Sequence, residues 1–277
     1  MKKTIIVFLT MALCVAANAQ TLGDITTTFN NGAAALQNDN KTTALDSFKK
    51  ALADATKLGD EGAEIAGKCR DIIPGIIQSI ATDQYNAGNL DGAIESLKAS
   101  LAAAKEYGVG DIEAESTKRL GQFLAKKGAN LLSSGDLAGA KAALVESVQV
   151  DSTSGSALLR LGQVCMKAGD NEGAEDAFKK AANHGQATNA NNLLSGLKLK
   201  AASSSLKAKD FKTALALALE STQYAEKSAA YKIAGNCAAQ LKDYAGAVKY
   251  FTKYLELSPN APDAAQTKAN IEAFKKL

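Results

Sequence analysis

Residues 155–182 read GSALLRLGQVCMKAGDNEGAEDAFKKAA. Leu158, Leu161, Gly162 and Cys165 recur every three to four residues, and so do Ala174, Phe178 and Ala181 beyond Ala168-Gly169-Asp170. This is the pattern of two amphipathic helices joined by a tight turn. Gly169 can take the left-handed conformation that stops the first helix, and Asp170 can cap the amides that open the second. Gly162 removes a side chain where the helices cross, Ala174 and Ala181 keep the second helix thin, and Phe178 fills the space between them.

Copies of this unit recur along the chain. The last has Tyr231, Ala234, Gly235 and Ala238, a turn at Lys242-Asp243-Tyr244, then Ala247, Phe251, Tyr254 and Pro259. Others show Gly128, Gly135-Asp136-Leu137, Ala140 and Leu144, or Gly32, Ala44, Phe48 and Ala51. Weaker ones centre on Gly88-Asn89-Leu90 with Ala93 and Leu97, and on Lys209-Asp210-Phe211 with Ala214. The alanines Ala44, Ala93, Ala140, Ala174, Ala214 and Ala247 are spaced by 49, 47, 34, 40 and 33 residues. The wider intervals predict the longest helices within 25–134.

The best units resemble the tetratricopeptide repeat, W-x2-L-G-x2-Y followed by A-x3-F and P, whose period is about 34 residues. Leu161-Gly162 matches L-G, Ala174-x3-Phe178 matches A-x3-F, and the final unit adds Pro259; Leu158 and Cys165 stand at the family's aromatic positions. The resemblance implies an all-α fold, an α-α superhelix in which five to six helical hairpins stack as a solenoid. It also implies protein or peptide binding along a concave groove lined by the first helices. The groove positions it implies are Leu159, Gln163, Met166 and Lys167, then Lys232, Asn236 and Gln240. Lys232 and Asn236 resemble the Lys and Asn with which some members hold a C-terminal carboxylate, although only a capping helix follows to complete such a clamp.

Pro74 lies inside a helical stretch and predicts a kink or break near Asp71–Pro74. Residues from about 262 to 277 read as a capping helix, with Pro262 in its first turn and Ala265, Ala269 and Phe274 facing inward.

The N-terminus combines Lys2 and Lys3, an apolar stretch from Ile5 to Ala17, and Ala17-Asn18-Ala19. That is the layout of a signal peptide over 1–19, too short for a membrane-spanning helix. Leu13 before Cys14 argues against a lipid anchor. The repeat domain then occupies 20–277, exported to the periplasm, with secretion as the alternative. The junction resembles exported proteins of Bacteroidetes, as does Asp151-Ser152-Thr153, which is similar to their short sugar-acceptor motif.

Removal of 1–19 leaves 30 basic against 29 acidic side chains. So balanced a chain lacks the cationic field that binds nucleic acid or anionic lipid. Cys69, Cys165 and Cys237 read as small buried hydrophobes, with one distant pairing left open. Five of the seven tyrosines fall in the last 54 residues, where packing outweighs ligand stacking as their role.

His184 is the single histidine, in a His-Gly connection. No second histidine or cysteine-carboxylate cluster stands at metal-ligand spacing, and no G-x-S-x-G, phosphate-binding loop or dinucleotide fingerprint occurs. The expected protein is therefore a non-catalytic scaffold or adaptor of the cell envelope without metal or cofactor. The alternative is a module for a glycan or small solute, against which the absence of Trp counts.

Overall fold

A computed structural model describes residues 21–277, so the signal-peptide segment lies outside the described residues. The described chain is helical, with no strand. Six helical hairpins follow in order. They pair α1 (21–37) with α2 (Lys41–Lys57), α3 (Ala63–Asn86) with α4 (Leu90–Tyr107), and α5 (Gly110–Ser134) with α6 (Leu137–Val150). Then come α7 (Gly155–Lys167) with α8 (Asn171–Ala181), α9 (Ala187–Lys207) with α10 (Phe211–Tyr224), and α11 (Ser228–Gln240) with α12 (Tyr244–Leu257). A last helix, α13 (Ala264–Phe274), packs on α12. The chain forms two compact units, one up to Lys127 with Gln149–Asp151, the other Gly128–Val148 with Ser152–Leu277.

One turn geometry serves all six hairpins. Asp39, Gly88, Gly135, Gly169, Lys209 and Lys242 all have positive φ. The next residue, Asn40, Asn89, Asp136, Asp170, Asp210 or Asp243, donates its backbone N–H to the carbonyl five residues back at 2.8–2.9 Å. Its side chain then accepts the amide three residues on, at Thr43, Gly92, Gly139, Gly173, Thr213 or Gly246. Each turn thus satisfies groups orphaned by both helix ends, a left-handed stop and an Asx cap sharing two residues.

The cap sets the register of the second helix. Four residues beyond it stand Ala44, Ala93, Ala140, Ala174, Ala214 and Ala247, all with no exposed surface. Four further on come Phe48, Leu97, Leu144, Phe178, Ala218 and Phe251, also buried. Twelve residues before each alanine lies a small residue of the first helix: Gly32, Ala81, Gly128, Gly162, Ala202 or Gly235. A Cβ on Gly128, Gly162 or Gly235 would meet Leu144, Phe178 or Phe251 at 2.6, 2.5 and 2.7 Å. No side chain fits there, so the glycines are required by the approach of the second helix.

Because this twelve-residue spacing never changes, the irregular period comes from elsewhere. Gly162 and Gly235 are the eighth residues of their helices, whereas Ala81 and Gly128 are the nineteenth of α3 and α5. The extra length is three helical turns added at the N-terminal ends of those two first helices.

Of the kink or break expected near Asp71–Pro74, the break does not occur, since α3 runs on as one helix through Pro74. Pro74 stands where a first helix of α7's length would begin, yet it is fully buried beside Ile73, Ile76 and Ile77. Burial of that stretch outweighs the one backbone bond a proline forfeits, and Ser100 donates to the Pro74 carbonyl at 2.8 Å.

The inward face of α13 also differs from expectation. Thr267 and Ile271 are buried and Phe274 packs on the core, while Ala265 and Ala269 are exposed. Positions 267, 271 and 274 follow the helical period, and alanine suits either face. Pro262 precedes the cap residue Asp263 and lies outside the first turn.

Candidate functional site

The first helices α7 and α11 bury one side against their hairpin partners through Gly162 and Gly235. The seven residues expected to line a groove lie on other sides of these helices. Lys167, Asn236 and Gln240 are exposed, and Gln163 is half-buried. Leu159 and Met166 pack partly against the core cluster of Leu158, Cys165 and Phe178.

Lys232 is committed within the chain. Its Nζ lies 2.8 Å from the Asp263 carboxylate and 5.6 Å from the centre of the Tyr254 ring. The Tyr254 hydroxyl donates to the same carboxylate at 2.6 Å. The bond to Asp263 raises the Lys232 pKa above its ordinary value and lowers that of Asp263. A carboxylate of the chain itself therefore occupies the ammonium that a clamp would offer, and Thr267 is buried with its hydroxyl on the Asp263 carbonyl.

The C-terminal tyrosines divide. Tyr254 is buried and Tyr244 stacks on Phe274 at 5.5 Å, both packing roles. Tyr231 and Tyr250, with Leu219 and Lys249, edge a cavity of about 640 Å³ along α10 and α12. A second cavity, about 420 Å³, lies over α9 beside Glu175, Lys198 and Ser204. There Lys198 bridges Glu175 at 2.8 Å and Glu220 at 2.9 Å, joining α8, α9 and α10. Burial pulls the Lys198 pKa down, but the two carboxylates outweigh it and the net shift is upward. None of the seven groove positions lines either cavity.

One cluster has no counterpart among the residues singled out from the sequence. On α3 and α5, Tyr85 and Phe123 stack with ring centres 4.3 Å apart. Arg119 lies 5.9 Å from the Phe123 ring and donates to Thr82 Oγ1 at 2.6 Å. Lys126 lies 4.5 Å from the Tyr85 ring and donates to its hydroxyl. The signal was available, because Arg119, Phe123 and Lys126 stand at i, i+4 and i+7 and so share one helical face.

Cys69, Cys165 and Cys237 are free and buried, and burial pushes the Cys69 thiol up to about 11. Such thiols are protonated packing groups at neutral pH. His184 is exposed in the π-type turn Ala182–Gln186, beside Gly185 at φ 79°. Among the described residues no three His, Cys, Asp or Glu side chains gather at metal-binding distance, and no helix is long and apolar enough to cross a membrane. Ser152 and Thr153 are exposed between α6 and α7.

Tetratricopeptide-repeat family models match residues 131–197 and 228–261, so the chain carries tetratricopeptide repeats in both segments. No curated protein matches it. Among solved structures it is similar to pilF of Pseudomonas aeruginosa, at 16% identity over 91% of this chain and 99% of that one, with a TM-score of 0.34. The C-terminal part of a TPR repeat-containing protein from Cytophaga hutchinsonii is 14% identical over 86% and 98%, with a TM-score of 0.42. YrrB, described as a TPR protein with an unusual peptide-binding site, is 22% identical over 56% and 77%, with a TM-score of 0.37.

Proposed function

We propose that this chain is a non-catalytic scaffold of the cell envelope, exported to the periplasm, that binds a protein or peptide along its first helices. The observation that carries this reading is the division of labour on α7 and α11: one side locked against the hairpin partner at Gly162 and Gly235, with Lys167, Asn236 and Gln240 exposed and Gln163 half-buried on other sides. A rigid helix that spends its small residues on packing and presents amides and cations elsewhere suits recognition of another chain. The step from repeat to partner binding rests on fold analogy.

A photo-crosslinking side chain placed at Gln163 or Asn236 in cells should give discrete adducts with one protein. The same group at exposed Asp176 or Lys212 on second helices should give none. The reverse pattern rejects the reading. The mature N-terminus should be Gln20, and an intact mass that retains Met1 or carries lipid on Cys14 would reject export.

The cavity edged by Tyr231 and Tyr250 supports a second reading, a glycan or small-solute site, since its size falls in the range of small-ligand pockets. Thermal stabilisation by a glycan, abolished by Tyr250→Ala, would favour it over the scaffold.

A further inference from the structure

We propose that the paired face of α3 and α5, where Arg119 and Lys126 flank the stacked rings of Tyr85 and Phe123, takes an acidic segment of a partner protein. This rests on the scaffold reading and names a surface and a partner chemistry for it.

Charge balance carries the argument. Elsewhere, five lysines that reach another helix or its cap meet a carboxylate, Lys41 with Asp83, Lys127 with Asp91, Lys141 with Asp170, Lys198 with Glu175 and Lys232 with Asp263, while Lys227 meets the Asn192 carbonyl. Arg119 and Lys126 depart from those five pairs and do so side by side. Each reaches across from α5 to α3, and each ends on a hydroxyl and an aromatic ring, with no carboxylate of the described residues in ion-pair range. Ring faces attract cations without neutralising them, so both keep their charge for an outside anion.

Geometry narrows the anion. Seven residues of helix place the Cα atoms of Arg119 and Lys126 about 10 Å apart along the axis. Carboxylates three residues apart on a polyproline-II segment lie on one side, about 9 Å apart. Beside the cations, Tyr85 is only half-buried, its ring stacked on buried Phe123. The matching segment has two acidic residues three positions apart with an apolar side chain between them. Arg119 suits a carboxylate in particular, because Thr82 engages one nitrogen of its fork and leaves other donors unassigned.

The test uses the full chain and fluorescein-labelled hexapeptides carrying two glutamates three positions apart around a leucine or phenylalanine, read by fluorescence anisotropy. Glutamine-for-glutamate peptides, phosphatidylglycerol vesicles and a DNA oligonucleotide serve as competing probes. The glutamate peptides should bind, weaken with added salt, and lose at least tenfold in affinity on Arg119→Gln or Lys126→Gln, while the glutamine peptides stay unbound. Failure of every glutamate peptide, or binding that ignores both variants, overturns the proposal. So does binding to vesicles or DNA in place of peptide. If Arg119→Gln alters the circular dichroism spectrum, exposed Lys126→Gln alone decides. Adducts captured from Gln163 or Asn236 together with a negative result here would leave the scaffold reading standing and remove only this surface.

Discussion

Gly162 and Phe178 approach so closely that a methyl group on the first would lie 2.5 Å from the ring of the second. The contact fixes how α7 and α8 cross, and its counterpart in the last hairpin pairs Gly235 with Phe251. Gly162→Ala should therefore cost about 1–3 kcal/mol, as overpacked sites do. Gly196, inside α9, has open space where a Cβ would stand, so Gly196→Ala should instead gain about 0.5–1 kcal/mol from helix propensity alone. Urea denaturation of the two variants checks both signs. Equal effects would mean that the hairpin crossing does not depend on the missing side chain.

Lys209 and Lys242 occupy the turn position that glycine fills at 88, 135 and 169, and both have φ 62°. A side chain there crowds the following carbonyl, a strain of about 1–2 kcal/mol that glycine avoids at some entropic cost in the unfolded chain. Lys209→Gly and Lys242→Gly should each stabilise by up to about 1 kcal/mol, and the two should add because they lie in different hairpins. Gly169→Lys should destabilise to match. Thermal melts that rank the variants the other way would show that the turns relax when substituted.

Much of this architecture was legible from one repeated phrase: a left-handed residue, an Asn or Asp, and an alanine four positions later. The crossing residue was legible only where it was glycine. Ala81 and Ala202 do the same work but look like ordinary helix residues, since Ala202 faces a cluster containing Ala218 and needs no glycine. At Pro74 local backbone chemistry allows a kink or a break, and the burial of its neighbours decides against the break. The candidate surface was less legible. Leu159 and Met166 lie close enough in helical phase to the groove positions that only packing shows them leaning on the core. Lys232 is committed by Asp263, thirty-one residues away. The α5 side of the Arg119 cluster was legible in its i, i+4, i+7 spacing, but its pairing with Thr82 and Tyr85 depends on the lateral register of α3 against α5, which no single-helix pattern contains.

The pH dependence follows from carboxylates held by hydrogen bonds, four of them paired with a lysine in the regions described above or in α2. Asp54, Asp170, Glu175 and Asp263 are all held below their ordinary pKa, chiefly by hydrogen bonds from Lys50, Lys141, Lys179 and Lys232 respectively. Because the folded values are the lower ones, the unfolded chain binds more protons in acid. The stability they contribute is present above the ordinary carboxylate value of about 4 and is lost as pH falls through the folded values. The lysine partners are raised above 10.5, so their contribution persists below that value and fades only in strong alkali. Melting temperature should be flat from about pH 6 to 9 and fall below about pH 4.5. Glu175→Gln should lessen the acid slope, and a melting temperature that rises on acidification would contradict these pairings.

Asp263 differs from the six hairpin caps in how it spends its side chain. At each hairpin the Asn or Asp bonds an amide of its own helix, whereas Asp263 makes no such cap bond and holds Lys232 of α11 and Tyr254 of α12 instead. Removing it should leave the first turn of α13 no worse capped, while freeing that helix from the hairpin beneath it. Hydrogen exchange on Asp263→Ala should show the amides of 264–274 exchanging severalfold faster, with those of α7 and α8 unchanged, as expected for a local opening at one end. Lys232→Met should reproduce part of the effect, because the Tyr254 hydroxyl can still donate to the carboxylate. If instead protection falls evenly across both units, the last helix is bound into the global unfolding of the chain, and the Lys232–Asp263–Tyr254 contact is not what holds it in place.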